Sequence, residues 1–137
     1  MATIRFPAAL HALPRGVTFV TDYASVAGFS PARVAEIELA VGEALTNICT
    51  HAYPGGEGDV EVQCTHAPGP RLCIDIVDRG VPFDPLSVAP PNLGEDPAER
   101  TTGGLGILLL RAMVDEMTYH RDHDQNILHL VIIPRPA

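Results

Sequence analysis

The sequence predicts an α+β fold: a two-layer sandwich whose mixed, mostly antiparallel sheet carries its helices on one face. Three observations point there. Pairs of alternating apolar segments are joined by short turns, as hairpins are. Segments with helical spacing of apolar residues stand between the pairs rather than after every strand. The chain of 137 residues has neither an internal repeat nor a linker, so residues 1–137 are expected to form one domain.

Thr3 to Phe6 reads as a short edge strand, stopped by Pro7, which lacks a ladder donor. Pro14 suits the first turn of a helix running towards Phe29. Ser30-Pro31 marks a sharper start, a hydroxyl N-cap followed by proline at the first helical position. From there to about His51, Val34, Ile37, Val41, Leu45 and Ile48 form one apolar stripe, and Pro54-Gly55-Gly56 ends the helix. Strands over Asp59–Thr65 and Arg71–Val77 follow, turning at Ala67-Pro68-Gly69-Pro70. Residues 86–101 lack periodicity, and a loop of that length in a compact domain is usually functional or mobile. Gly103-Gly104-Leu105-Gly106 opens a helix to about Met117, and strands over Thr118–Arg121 and Asn126–Ile133 complete the order.

Composition narrows the chemistry. The formal net charge of −8 argues against a nucleic-acid partner. All nine basic residues are Arg; without lysine there is no P-loop and no Schiff-base chemistry. Cys49, Cys64 and Cys73 are too few and too widely spaced for a metal or disulfide framework, and three reduced, mostly buried thiols are expected. Met1 to Pro7 has no signal-peptide core, and the run Leu105–Leu110 is too short to cross a bilayer. A soluble cytoplasmic protein with no membrane partner is the expectation.

Three segments carry candidate chemistry. On the long helix, Glu36, Ala40, Glu43, Asn47 and His51 share one face, placed beside the apolar stripe. An Asn carbonyl suits Mg²⁺, and a carboxylate one turn away can accept a proton. Taken alone, such a face is more often simply solvated. Asp78-Arg79-Gly80 ends a strand: Asp78 can accept from an exocyclic amine, and Gly80 permits close approach to a flat base. A plain Asp-Gly turn is the commoner source of that pattern. Thr101 to Gly106 leads into a helix whose exposed N–H groups and dipole favour an anion, although a flexible loop meeting a helix start looks the same.

Together and in this order, the three segments resemble the N, G1 and G2 boxes of the histidine-kinase-like (GHKL) ATPase superfamily. The likeness is nearest to its anti-sigma-factor serine/threonine protein kinases. Glu38 to Tyr53 is similar to that family's N box, Asp78 to Pro85 to a short G1 box, and Gly103 to Met117 to the G2 box and its helix. The resemblance implies the Bergerat fold and ATP with Mg²⁺ as cofactors. It implies Asn47 on the metal, Asp78 on the adenine amine with Gly80 beside the base, and Thr102, Gly103, Gly104, Leu105 and Gly106 around the phosphates. His51 lies on the nucleotide-facing side, Arg100 offsets phosphate charge, residues 86–101 form a lid, and Glu43 is the general base. The implied substrate is a serine on an anti-sigma-factor antagonist of STAS type, and a sigma factor is the second partner. The resemblance also implies a homodimer as one possible assembly, made through the first strand and helix.

Two departures stand out. Pro82 occupies the place of a second G1 glycine, and Asn126-Ile127 replaces a Gly-Thr pair of the last strand. They motivate an alternative, a nucleotide-gated binding module with little or no transfer activity. A third reading, the ATP-binding half of a sensor kinase, lacks support, since no phosphoacceptor-histidine helix or heptad coiled coil reads out of the first residues. His120 and His123 read as part of a polar hairpin rather than a zinc site. His51 is expected to help cap its helix, and Phe83 to fill the core rather than pack under the lid.

Overall fold

The computed structural model describes residues 1–67, 70–85 and 102–134, with side chains from residue 108 onward in the last stretch. Five strands and three helices follow one another as β1 (Ala2–Pro7), α1 (Leu13–Val26), α2 (Pro31–His51), β2 (Asp59–Ala67), β3 (Arg71–Asp78), α3 (Thr102–Met113), β4 (Glu116–Asp122) and β5 (Gln125–Ile132). The sheet order is β1-β2-β3-β5-β4. All four pairings are antiparallel. The mixed sheet of the sequence reading is therefore wholly antiparallel among the described residues. The reason lies in the last hairpin, which inserts β5 beside β3 and leaves β4 at the edge.

Alternation decides which face is covered. Val60, Val62 and Cys64 of β2 and Leu72, Ile74 and Ile76 of β3 are buried, while the odd-numbered residues between and after them are half-buried. Leu128, Leu130 and Ile132 extend this inner face across β5. The helices lie over it and contribute Val20, Ala24, Ile37, Val41, Leu45 and Leu110 to one core.

α2 begins as its sequence dictates. The Ser30 side chain accepts from Arg33 N at 3.2 Å, and Pro31 takes the first helical position. Its buried arc is wider than the apolar stripe, because α2 packs against both α1 and α3 while sharing one core with the sheet. Ala40, Ala44 and Asn47 are buried with the stripe, so the polar face expected beside the core is partly inside it. Val34 is only half-buried.

α3 stops at Met113, four residues short of the expected end, and Met117 belongs to β4. Buried Arg33 fixes this boundary: its Nη1 donates to Met113 O at 2.6 Å and its Nη2 to Asp115 Oδ2 at 2.6 Å. A cation on the last carbonyls of a helix satisfies orphan acceptors and complements the dipole. Asp115 Oδ2 also accepts from Ile133 N, tying the helix end to the end of β5.

Of the three cysteines, all free, Cys64 alone is fully buried, and Cys49 and Cys73 are half-buried. Among the described residues, no helix is long and apolar enough to cross a membrane.

Candidate functional site

A narrow cleft opens where α2, the turn after β3, α3 and the β4–β5 hairpin meet; its walls include Asn47, Asp78, Phe83, Leu110, Tyr119 and Asn126. Mostly apolar walls with a few convergent polar groups are what small-molecule sites offer.

Asn47 supplies the first polar group. It is 7% exposed, and its Nδ2 has no hydrogen-bond partner among the described residues. Native proteins seldom leave a buried amide atom unpaired. A half-turn of the side-chain amide exchanges its oxygen and nitrogen, so the atom left over can be a hard oxygen acceptor or a donor. The residue therefore fits a hydrated cation or a polar ligand group. Glu43, one helical turn earlier, is half-buried and outside the cleft wall. Ala44, Asn47 and Ile48 form the α2 side of that wall.

Asp78 supplies the second. Its Oδ1 accepts from Gly80 N at 2.8 Å and from Asn126 Nδ2 at 2.9 Å, and the residue is 4% exposed. Gly80 does not border the cleft: it is pressed against the end of α2, where a Cβ would lie 2.1 Å from Ala52 O. Only glycine permits that approach, and Val81 N donates to the same carbonyl at 2.8 Å. Tyr53 adds a further tie, accepting from Arg79 N and donating to Asp59 O, each at 2.7 Å. The Asp78 turn is thus bolted to the C-terminal end of α2. Burial raises the Tyr53 phenol above its ordinary range, while the Arg79 hydrogen bond works against that shift.

Phe83 is not a core residue. It is half-buried on the cleft wall, with His51 stacked on it at 5.0 Å between ring centres and 24° between planes. His51 is exposed in the last turn of α2 and supports the wall through Phe83 instead of bordering the cleft itself.

At the G2-like segment, backbone helix begins at Thr102, so Gly103, Gly104, Leu105 and Gly106 lie in the first turns of α3. Arg100 and the proposed lid 86–101 lie outside the described residues. Asn126 and Tyr119 were not singled out as site residues. Asn126 carries one signal the sequence does offer, a polar side chain on the inward phase of β5 between Asp124 and Leu128.

Residues 6–132 match the histidine kinase-like ATPase domain. The chain belongs to that family. A histidine kinase-like ATPase domain takes a nucleotide as its ligand. Its relatives include the serine-protein kinase RsbW of Listeria innocua, 30% identical over 131 residues, a match covering 92% of this chain and 83% of that one. The serine-protein kinase RsbW of Bacillus cereus is 28% identical over 112 residues, 79% of this chain and 69% of that one. Among solved structures, the RsbU and RsbW domains of Rv1364c from Mycobacterium tuberculosis superpose with a TM-score of 0.68 at 17% identity, over 100% of this chain and 34% of that one. The histidine kinase domain of a blue-light activated histidine kinase from Erythrobacter litoralis EL346 gives 0.56 at 19%, over 88% of this chain and 60% of that one. These two likenesses concern the fold.

Proposed function

We propose that this histidine kinase-like ATPase domain is an ATP- and Mg²⁺-dependent serine/threonine protein kinase. In this reading it phosphorylates a serine of a STAS-type anti-sigma-factor antagonist and sequesters a sigma factor, in the cytoplasm. The observation that carries the reading is the buried amide nitrogen of Asn47, unpaired among the described residues, on a cleft that Asp78 also lines.

Asn47 would hold the metal through its amide oxygen, and Asp78 would accept from the adenine amine. With Mg²⁺ held there by Asn47, the charge that develops on the phosphates during transfer would be offset. Glu43, one turn from Asn47 and half-buried, would take the proton from the incoming serine hydroxyl. The start of α3, from Thr102 to Gly106, would present N–H groups to the phosphates, and Arg100 would add a fixed positive charge. His51 would keep Phe83 in place on the wall. The polar residues mainly orient and neutralise, which is where phosphoryl transfer gains most of its rate.

Calorimetric titration of ATP with Mg²⁺ and with EDTA, on the wild type and Asn47→Ala, tests the site. Binding that needs Mg²⁺ and is lost in Asn47→Ala is expected. Incubation with labelled ATP and an antagonist then tests transfer. Glu43→Ala should abolish the labelled product while keeping ATP affinity within about threefold, because that carboxylate acts in the transition state. If the wild type binds ATP yet labels no antagonist, the nucleotide-gated binding module replaces the kinase. If it binds no ATP at millimolar concentration, with or without a partner, the nucleotide reading fails.

A further inference from the structure

Asn126 has all of its hydrogen-bonding capacity engaged around Asp78. Its Nδ2 donates to Asp78 Oδ1 and to Val81 O, each at 2.9 Å. Its Oδ1 accepts from the Tyr119 hydroxyl and, at 3.2 Å, from Arg121 Nη1. Arg121 Nη1 also donates to Gly80 O at 2.8 Å. A side-chain amide has two donor hydrogens and one oxygen with two lone pairs, so nothing of Asn126 is left for a ligand.

The consequence falls on Asp78. Both donors that reach its carboxylate among the described residues, Gly80 N and Asn126 Nδ2, converge on Oδ1. Oδ2 receives none of them, although Asp78 borders the cleft. A carboxylate with one oxygen saturated and rigidly held presents the other as an acceptor of fixed position. It cannot reward a ligand that offers a carbonyl at that point.

We infer that Asn126, clamped by Tyr119 and Arg121, is a positioning residue that aims the free oxygen of Asp78 at a nucleobase amine, and that this clamp sets the preference for an aminopurine over an oxopurine. The inference rests on the nucleotide reading above and goes beyond it by assigning selectivity to residues that do not touch the base. The Ile127 neighbour plays no part, since it faces away from the helices on the opposite phase of β5.

The experiment compares ATP with inosine triphosphate, which carries a carbonyl where adenine has its amine. Dissociation constants are measured with Mg²⁺ for wild type, Asn126→Ala, Tyr119→Phe and Asp78→Asn. The wild type should prefer ATP by roughly tenfold or more, the scale of one hydrogen bond to a charged group. Asn126→Ala should bring that ratio to within about threefold while shifting the inosine constant by less than about threefold, because only the amine uses the aimed oxygen. Tyr119→Phe removes one of the two donors to Asn126 and should lower the ratio partway; it also decides the matter if Asn126→Ala fails to fold. A variant that weakens both nucleotides equally, or both variants keeping the wild-type ratio, overturns the clamp while leaving nucleotide binding intact. If the wild type binds neither nucleotide, the underlying reading falls and the clamp with it.

Discussion

Cys64 sits mid-strand in β2 with no solvent contact, and its thiol is pushed up to about 12, first by burial and second by the Asp75 carboxylate. In the unfolded chain the same thiol ionises near its ordinary value of 9.0. Below that pH both states keep the proton, so the site has no effect on stability. Above it the unfolded state gains from ionisation and the folded state does not. Stability should therefore fall by about 1.4 kcal/mol per pH unit from this one group as pH rises from 9.0 to about 12. Tyr53, whose phenol is also raised, acts in the same direction from a higher starting point. Urea unfolding at pH 8, 9.5 and 10.5 measures the slope. Cys64→Val should flatten it without abolishing it, and equal slopes in both proteins would sink the account. The same burial makes the thiol inert to disulfide reagents at neutral pH, as thiolate chemistry requires.

The helices show how local and distant chemistry divide the work. α2 starts where Ser30-Pro31 says it should, because a cap and a proline act within one turn. The end of α3 is different: it depends on Arg33, whose partners Met113, Asp115 and Ile133 lie 80, 82 and 100 residues further along the chain. No local pattern encodes such a contact, and periodicity alone runs the helix on to Met117. Arg33 is 2% exposed, and its side chain links α2, the end of α3 and the strand end by three hydrogen bonds. Arg33→Ala would leave two part-buried carbonyls without their donor and Asp115 without its countercharge. Asp115 keeps 29% side-chain exposure, so water can take over part of its solvation. The expected loss is about 3 kcal/mol, the low end for breaking a buried pair. Arg33→Lys should recover less than half of it, since a single ammonium cannot serve three acceptors in a fork. Urea midpoints of the three proteins decide the point. A loss below about 1 kcal/mol for Arg33→Ala, the value of an exposed pair, would mean the clamp is solvated and not structural.

At the scale of the whole molecule, the fold class and the strand order along the chain were legible because hairpins and amphipathic helices are written in local spacing. The antiparallel insertion of β5 between β3 and β4 was not, since sheet order depends on which edge a hairpin joins. The candidate site was legible where a residue type suggests its chemistry, and Asn47 and Asp78, picked out on that ground, both line the cleft. It was illegible where the partner is met across the sheet, as with Asn126 and Tyr119, or where a glycine serves packing, as Gly80 does against Ala52. The cleft lining comes from α2, β3 and the turn after it, α3, β4 and β5, so a ligand there touches five of the eight elements, and α1, β1 and β2 join only through the shared core. Binding there should stabilise the molecule as a unit and not one loop of it. At a hundredfold excess over its dissociation constant, a ligand adds about 2.7 kcal/mol to the folded state. For a domain of this length that corresponds to a rise in Tm on the order of 10 °C. The chain's net charge of −8 opposes a polyanionic ligand, so the rise should need Mg²⁺ and vanish in EDTA. Calorimetric scans with Mg²⁺ and ATP should show one transition moved upward intact. A split transition, with only part of the enthalpy shifted, would mean that the cleft and the β1–α1 end unfold separately and that the ligand holds only its own half.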